Sequence, residues 1–294
     1  MTETTPGIVA APDGRTDASG EIASTVWFEE GSWIDRVPRS VAMFGIFVIG
    51  ISLWQLLYVT GIVSPIILPS PLETAEQLVF VGRNLFTGDY MLDSLWITLK
   101  EVFYAFILAV VIGFTLGVIV GETAFGERAV MPYLVAFDVM PKVAFAPLFI
   151  AWLGFGIESK VALATYIATF PIVVGTAAGL HAADESARML FKTMGASRWQ
   201  TLVKMKLPTG MPHFFTGLKI GSVGVMAGAI TGEFLGGGKG FGELIRVAST
   251  NLHTARVFAL IIYLSLIGLA IFMLVVWAQR RFVFWQKSSV IIEA

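Results

Sequence analysis

The residues that are able to support catalysis or metal binding are few and far apart in this chain. It contains no cysteine, which excludes disulfides, thiol catalysis and thiolate metal sites. Its three histidines, His181, His213 and His253, lack the spacing of a metal-binding motif. The sequence therefore predicts no catalytic residue and no metal site, which argues against a membrane-embedded enzyme.

A glycine-rich run from Gly232 to Gly240 has some of the composition of a nucleotide-binding loop. A P-loop requires glycine, four residues, and then Gly-Lys-Ser/Thr. Here the residue five positions before Gly238 is Glu233, and glycine follows Lys239. The pattern fails on both sides of the lysine, so we expect a flexible turn and no ATP site in this chain.

The composition is that of a membrane protein. Of the 294 residues, 56% are hydrophobic and 14% are charged, whereas soluble domains carry about 25% charged residues. A helix that spans a bilayer needs about 20 apolar residues. The sequence predicts an all-α membrane protein with about six such spans, at about 40–60, 97–120, 129–153, 158–180, 214–235 and 257–279.

Three parts follow one another along the chain. Residues 1–35 are polar and have no apolar core of a signal peptide, so we expect a disordered cytoplasmic tail. A transmembrane domain covers 36–285, and 286–294 form a cytoplasmic C-terminal tail. The aromatic residues within 26–37 leave open whether that stretch forms an interfacial helix or continues the tail.

The distribution of basic residues predicts the topology. With the N-terminus in the cytoplasm, 13 of the 20 Lys and Arg residues fall in cytoplasmic segments and 6 in outer segments, and Lys142 lies within a span. Cytoplasmic loops carry the excess of basic residues in membrane proteins. We therefore expect a multi-pass protein of the cell (plasma or inner) membrane with both termini, and the loop 181–213, in the cytoplasm.

An outer segment begins with Ser70-Pro71-Leu72-Glu73. Serine at the N-cap, proline at the first helical position and glutamate three residues after the cap form a capping box. The apolar residues that follow at helical spacing predict a short amphipathic helix on the outer surface.

Glycine pairs four residues apart recur in two of the predicted spans. This spacing lets helix backbones approach closely within lipid. The ladder in the fifth span either packs helices within one subunit or lines a pathway or a moving interface. The residues are Gly113, Gly117 and Gly121 in the second span, and Gly217, Gly221, Gly224 and Gly228 in the fifth.

Ionisable residues within the predicted spans are scarce. Asp138 and Lys142 lie four residues apart in the third span, where they are expected to pair on one helix face, and Glu233 ends the fifth. Such residues often mark solute or proton pathways, although a structural pair beside the prolines of the third span explains the first two equally well. Their scarcity argues that energy for transport comes from another subunit.

The loop 181–213 is the longest between predicted spans on the cytoplasmic side. Its residues predict two short helices on either side of Gly195, the second ended by Leu207-Pro208, with Pro212 preceding the fifth span. This arrangement favours a docking element, and the alternative is an amphipathic element on lipid headgroups. The candidate contact residues are Gly195, Ala196, Ser197, Arg198, Trp199, Leu202, Leu207 and Pro208.

At this loop the sequence resembles the permease subunits of type I ABC importers. Their signature is Glu-Ala-Ala, three residues, glycine, nine residues, and Ile-x-Leu-Pro. Gly195 and Met205-Lys206-Leu207-Pro208 match the second half, whereas Met189-Leu190-Phe191 replaces Glu-Ala-Ala. The branch that transports nitrate, sulfonates, taurine, pyrimidine precursors and aromatic acids is the most similar. Further similar stretches are 67–71, 141–148, 152–156 and Ser159-Lys160, within a resemblance over about 40–285.

The resemblance implies a subunit of an ATP-driven importer that passes a small, anionic or heterocyclic solute into the cytoplasm by alternating access. Its implied partners are a second permease subunit in a homodimer, two cytoplasmic ATPase subunits, an extracytoplasmic solute-binding protein and the bilayer, but no nucleic acid. The ATPase subunits would hold ATP and Mg, so no cofactor is expected in this chain. The helix after Gly195 would be the coupling helix. A stand-alone secondary transporter or channel is the alternative.

Overall fold

A computed structural model describes residues 38–88 and 90–285. The predictions for the tails 1–35 and 286–294, and for an interfacial helix at 26–37, lie outside these residues. Every regular element in the described part is a helix. The α-helices are α1 Arg39–Val59, α2 Pro71–Thr87, α3 Tyr90–Glu122, α4 Met131–Val139, α5 Ala146–Leu153, α6 Ile157–His181, α7 Glu185–Thr193, α8 Arg198–Thr201, α9 Leu207–Gly236, α10 Phe241–Thr250 and α11 Thr254–Phe282.

The prediction of an all-α membrane protein with about six spans is confirmed. Five helical stretches are long and apolar enough to cross a bilayer, and a bent helix pair makes a sixth if it is counted as one span. The described residues divide into two compact units, 38–49 in the first, and 50–88 with 90–285 in the second. In the first unit, the described residues belong to the start of α1 and are mostly exposed. The second unit contains everything described below.

The third predicted span is the bent pair. Helical segments Gly126–Val139 and Lys142–Leu153 meet at an angle of 91°. Proline has no N–H to donate and disfavours helical backbone at the residue before it. Met140, which precedes Pro141, accordingly has extended backbone angles. The span therefore breaks at this proline rather than crossing as one straight helix.

Helix α6 packs between α3 and α9 and forms the centre of the second unit. The glycine ladders make this packing close. A Cβ added at Gly117 would meet Thr176, and one at Gly217 would meet the backbone of Pro171 and Gly175. The structure thus places both ladders against α6 within the chain, and Gly221, Gly224 and Gly228 likewise face this helix.

Helix α9 is longer than the sequence predicted. The expectation that Leu207-Pro208 ends a short helix and that Pro212 precedes a separate span is wrong, because helical structure is continuous over Arg198–Gly236. A single π-helical turn, Leu202–Lys206, lies just before Pro208, which occupies the first turn of α9. A helix start tolerates proline because the missing N–H has no intrahelical partner there.

The amphipathic helix predicted after Ser70 is confirmed as α2. The Ser70 hydroxyl accepts a hydrogen bond from the Glu73 N–H at 3.0 Å, and the Glu73 carboxylate accepts one from the Ser70 N–H at 3.2 Å. The helix ends at Gly88, which has left-handed backbone angles. Its buried side packs against α11, where Tyr263 donates a hydrogen bond to the Leu78 carbonyl.

Candidate functional site

Residues 182–206, which we call the hinged segment, connect α6 to α9 through two short helices. Helix α7 ends near Gly195, which has a φ of +72°. This left-handed backbone conformation favours glycine. The Ala196 N–H donates to the Phe191 carbonyl at 3.0 Å, which closes the turn. The prediction of two short helices separated by Gly195 is therefore confirmed, although the second continues into α9.

A capping box fixes the start of α8. The Ser197 hydroxyl accepts a hydrogen bond from the Gln200 N–H at 3.2 Å, and the Gln200 side chain accepts one from the Ser197 N–H at 2.8 Å. This arrangement satisfies two N–H groups that a helix start otherwise leaves unpaired. Helix α8 is thus held in one orientation by its own residues.

The predicted contact residues of the hinged segment divide into two groups. Trp199 is 70% exposed, and Ser197 and Arg198 are also exposed, so this end of α8 is free to contact another protein. Leu202 is 9% exposed and packs inward, which makes it a support for α8 rather than a contact. Ala196 and Leu207 are half-buried, and Pro208 is exposed on α9.

An ion pair that the sequence did not predict joins the hinged segment to α3. Lys206 Nζ lies 2.6 Å from Glu122 Oε1, and Lys206 as a whole is 8% exposed. The two residues border an open cleft of about 640 Å³ that Arg188, Lys192 and Arg198 also line. The sequence indicated Lys206 only as one basic residue among several, since a partner 84 positions away leaves no local pattern.

A second cluster lies at the other end of α9. Glu233 is fully buried, and its carboxylate accepts hydrogen bonds from the Thr98 hydroxyl and the Gly242 N–H, both at 2.5 Å. The Thr98 oxygen in turn accepts a hydrogen bond from the Phe241 N–H at 2.9 Å. These contacts tie the start of α10 to α3 and α9.

Lys160 completes this cluster. Its Nζ lies 3.4 Å from Glu101 Oε1 and donates to the Lys239 carbonyl at 3.1 Å. Lys160 and Glu101 are 4% and 0% exposed. The turn predicted at 232–240 is shorter in the structure, because residues 232–236 belong to α9 and α10 begins at Phe241. These contacts and those of Glu233 lie at both ends of the turn. The sequence also gave no prediction for Glu101, although a carboxylate within an apolar helix is a sign of a buried charged site.

Outside this cluster, α10 carries an ion pair within one helix. Glu243 and Arg246 are three residues apart, and the hydrogen bond from the guanidinium to the carboxylate raises the pKa of Arg246. The Arg246 side chain is 41% exposed and the Glu243 side chain 14%, so water screens this pair more than the buried cluster. The pair therefore provides a comparison for the buried cluster next to it.

Asp138 and Lys142 form the predicted ion pair, with Lys142 Nζ 2.6 Å from Asp138 Oδ1. They do not share a helix face, which corrects the prediction. Asp138 lies near the end of α4, and Lys142 begins a 3₁₀ turn after the break at Pro141. The pair therefore bridges the bend of the third span.

The comparisons with known proteins agree with this arrangement. A sequence model for the family described as binding-protein-dependent transport system inner membrane component matches residues 109–284. The chain belongs to this family. The matched range contains the hinged segment and α9 with Glu233 at its end, whereas Thr98 and Glu101 of the buried cluster lie before it.

Several relatives carry transport names. The chain is 34% identical over 225 residues to the formylaminopyrimidine transport permease protein ThiX of Halalkalibacterium halodurans, which covers 76% of this chain and 88% of the relative. It is 35% identical over 162 residues to the riboflavin transport system permease protein RibX of Chloroflexus aurantiacus, covering 55% and 60%. It is 26% identical to the taurine transport system permease protein TauC of Escherichia coli, covering 86% and 93%.

Among solved structures, an inward facing conformation of the MetNI methionine ABC transporter matches with a TM-score of 0.55. The match covers 68% of this chain and 97% of that chain at 19% identity, and at this identity it shows the fold alone. Together with the family, it identifies the chain as the permease subunit of a binding-protein-dependent ABC importer. The chain is a multi-pass membrane component, and ATP hydrolysis takes place in a separate subunit. The family match and the structural match give no support to a stand-alone transporter.

Proposed function

We propose that two copies of this chain form the translocation pathway of an importer and that the hinged segment is the surface on which each ATPase subunit docks. In this arrangement both chain termini and the hinged segment lie in the cytoplasm. ATP and Mg are held by the two ATPase subunits, and an extracytoplasmic binding protein delivers the solute. The excess of basic residues in the segments assigned to the cytoplasm supports this orientation.

The observation that carries the proposal is the continuous helix from α8 to the end of α9. It covers 39 residues, which corresponds to about 58 Å at 1.5 Å per residue. Its first turn carries the exposed Trp199, and its last turns carry the buried Glu233. A displacement of α8 by a docked ATPase is therefore transmitted along one element to the opposite end of the helical core.

Alternating access follows from this connection. A partner shifts an equilibrium between two conformations only if it binds one of them more tightly. ATP-driven closure of two ATPase subunits draws their docking surfaces together, which favours the conformation in which the two α8 helices are close. The Lys206–Glu122 ion pair passes the same movement to α3.

The solute is a small heterocyclic or anionic compound. Two of the relatives are named for a formylaminopyrimidine and for riboflavin, both of which contain planar heterocycles, and a third is named for taurine, an aliphatic sulfonate. The two relatives named for heterocycles are 34% and 35% identical to this chain, against 26% for the taurine relative, which favours the heterocyclic class.

Site-directed cross-linking tests the docking surface, because the chain has no cysteine of its own. Trp199→Cys is combined with single cysteines in the docking groove of the ATPase subunit, within the complete importer. Leu252→Cys is the control, since Leu252 is 66% exposed against 70% for Trp199 but precedes α11. We expect disulfide cross-links from position 199 and none from position 252. Cross-links from position 252 alone would reverse the proposed orientation and overturn the assignment of the docking surface.

A further inference from the structure

The break between α4 and α5 lies near the middle of the membrane-spanning region. Tyr166 donates a hydrogen bond to the Phe137 carbonyl at 2.5 Å, which fixes the depth of the end of α4 relative to α6. Tyr166 is nine residues beyond the start of α6 at Ile157, or about 14 Å along it. Since the hydrocarbon core is about 30 Å thick, the adjacent Asp138–Lys142 pair is near mid-depth.

The ion pair at this break is partly exposed, although Asp138 Oδ1, the atom that contacts Lys142, is itself buried. The side chains of Asp138 and Lys142 retain 25% and 28% of their exposure. A charged side chain that faces lipid at the bilayer centre carries a large free-energy penalty. Intramembrane charges accordingly face a bundle interior or a water-filled cavity. This surface is therefore directed toward water or protein rather than toward lipid.

The backbone at the break leads to the same conclusion. The last four carbonyl groups of an α-helix lack intrahelical partners, and Tyr166 satisfies one of those in α4, that of Phe137. The neighbouring residues Val139 and Met140 are 78% and 42% exposed. Non-helical backbone occurs at membrane depth where it is buried in protein or lines a water-filled cavity.

Aromatic side chains form a series next to the break. The ring centroids are separated by 5.0 Å between Phe145 and Tyr166, 6.3 Å between Tyr166 and Phe149, and 6.1 Å between Phe149 and Trp152. Trp152 at the end of the series is 67% exposed. Flat aromatic solutes stack on such rings, as nucleic-acid bases stack on aromatic side chains.

We propose that this face is a solute-contact site in the translocation pathway and that it takes small planar heterocycles. The aromatic series contacts the flat surface of the solute. Asp138 accepts hydrogen bonds from its ring or amino N–H groups, and Lys142 donates to its carbonyl or carboxylate oxygens. This assignment rests on the proposed function, because it requires that two copies enclose a pathway.

The other intramembrane charge cluster does not fit this role. Glu101, Lys160 and Glu233 are 0–4% exposed and are enclosed by α3, α6, α9 and the start of α10. A solute has no access to them while those contacts hold. The break of the third span combines charge, exposure and aromatic rings at one place, and this combination makes it suited to contact a solute.

Cysteine labelling tests whether the face lines water. Val143→Cys lies beside Lys142 at a position that is 55% exposed, and Leu269→Cys on α11 is a control at 51% exposure. Each variant is assembled as the complete importer in lipid nanodiscs and treated with a membrane-impermeant cationic methanethiosulfonate. Because only a hydrated thiolate reacts, position 143 is expected to react at least about tenfold faster than position 269. Equally slow reaction at both positions would overturn the proposal.

Protection from labelling tests the solute class. An aminopyrimidine and riboflavin serve as planar probes, and taurine serves as a small non-planar anion. We expect at least one planar probe to slow the labelling of Val143→Cys and taurine to have no effect. Protection by taurine alone, or by none of the three, would overturn the assignment to planar heterocycles. The Trp199→Cys cross-link is measured in a parallel preparation of the importer that lacks Val143→Cys, so that failure of docking is recognised separately from failure of this site.

Discussion

The Lys206 ammonium group lies 2.6 Å from Glu122 Oε1 and joins the hinged segment to the end of α3. The two side chains are 10% and 21% exposed, so water screens the pair only in part. Removal of one partner leaves the other poorly solvated, which is the larger part of the penalty for breaking such a pair. The contact therefore contributes both to stability and to the connection between α8 and the core.

We predict that Lys206→Met uncouples the importer and destabilises the chain. The expected loss is about 1–3 kcal/mol in the free energy of unfolding, less than for a fully buried pair because of the residual exposure. ATPase activity of the complete importer should persist but respond less to the loaded binding protein. Unfolding in detergent micelles and ATPase assays with and without the binding protein measure the two effects.

The exposed pair of Glu185 and Arg188 is the control for this prediction. Its side chains are 66% and 42% exposed at an N–O distance of 3.0 Å, and exposed pairs within a helix contribute about 0.3–0.5 kcal/mol. Arg188→Met should therefore have little effect on stability. A double-mutant cycle with Glu122→Gln should give a coupling energy for Lys206 that is absent for Arg188; equal values would refute a special role for Lys206.

A second prediction concerns the carboxylate of Glu233. It accepts hydrogen bonds from the Thr98 hydroxyl and the Gly242 N–H, whereas a glutamine amide offers one acceptor oxygen and places an N–H₂ group against the other donor. Glu233→Gln should therefore lower the free energy of unfolding by about 2–3 kcal/mol. Glu243→Gln, which breaks the pair with Arg246 on α10, should lower it less than Glu233→Gln does, because the Arg246 side chain is 41% exposed.

Thermal unfolding of both glutamate variants in the same detergent provides the measurement. Limited proteolysis gives a second readout, since loss of the Gly242 contact should expose the turn between α9 and α10 to cleavage. Similar melting temperatures and unchanged cleavage for Glu233→Gln would show that the cluster does not hold this turn.

The sequence was informative where structure depends on local patterns. The spans follow from apolar runs, α2 from its capping box, and the turn at Gly195 from the glycine between two helical stretches. The contacts that were missed join distant segments, as between Lys206 and Glu122 or between Lys160 and Glu101. Nothing in the spacing of such residues indicates their pairing, because it depends on how the helices pack.

The prolines explain the remaining differences. Pro208 was predicted to end a helix and Pro141 lies within the third predicted span, but only Pro141 interrupts a helix in the structure. Pro208 lies in the first turn of α9 directly after the π-helical turn, and helical structure continues through it. At Pro141 the extended angles of Met140 redirect the chain by 91°. Both residues are prolines, so the conformation of the backbone before each one determines whether the helix is interrupted.

A third prediction tests the packing of α6 against α9. A Cβ at Gly228 would meet the Cα and backbone N of Ala164, whereas one at Gly50 would meet no atom within 4 Å. Both substitutions to alanine gain about 1 kcal/mol of helix propensity. Gly228→Ala should also incur an overpacking penalty of about 1–3 kcal/mol. Gly50→Ala should be neutral or stabilising in thermal unfolding, and equal melting temperatures of the two variants would argue against close α6–α9 packing.

The last prediction tests whether the turn at Gly195 is needed for coupling, apart from the backbone strain that valine causes in any left-handed turn. Gly195 and Gly61 have φ angles of +72° and +66°, and a Cβ at either position meets no atom within 4 Å. Substitution by valine should therefore impose a similar backbone penalty of about 1–2 kcal/mol at both. Gly61→Val should retain uptake and stimulation of the ATPase by the binding protein. Gly195→Val should insert and fold but lose that stimulation, because α8 no longer has the orientation set by the turn. Retained stimulation in the Gly195 variant, measured on complete importers in liposomes, would show that the turn angle is not needed for coupling.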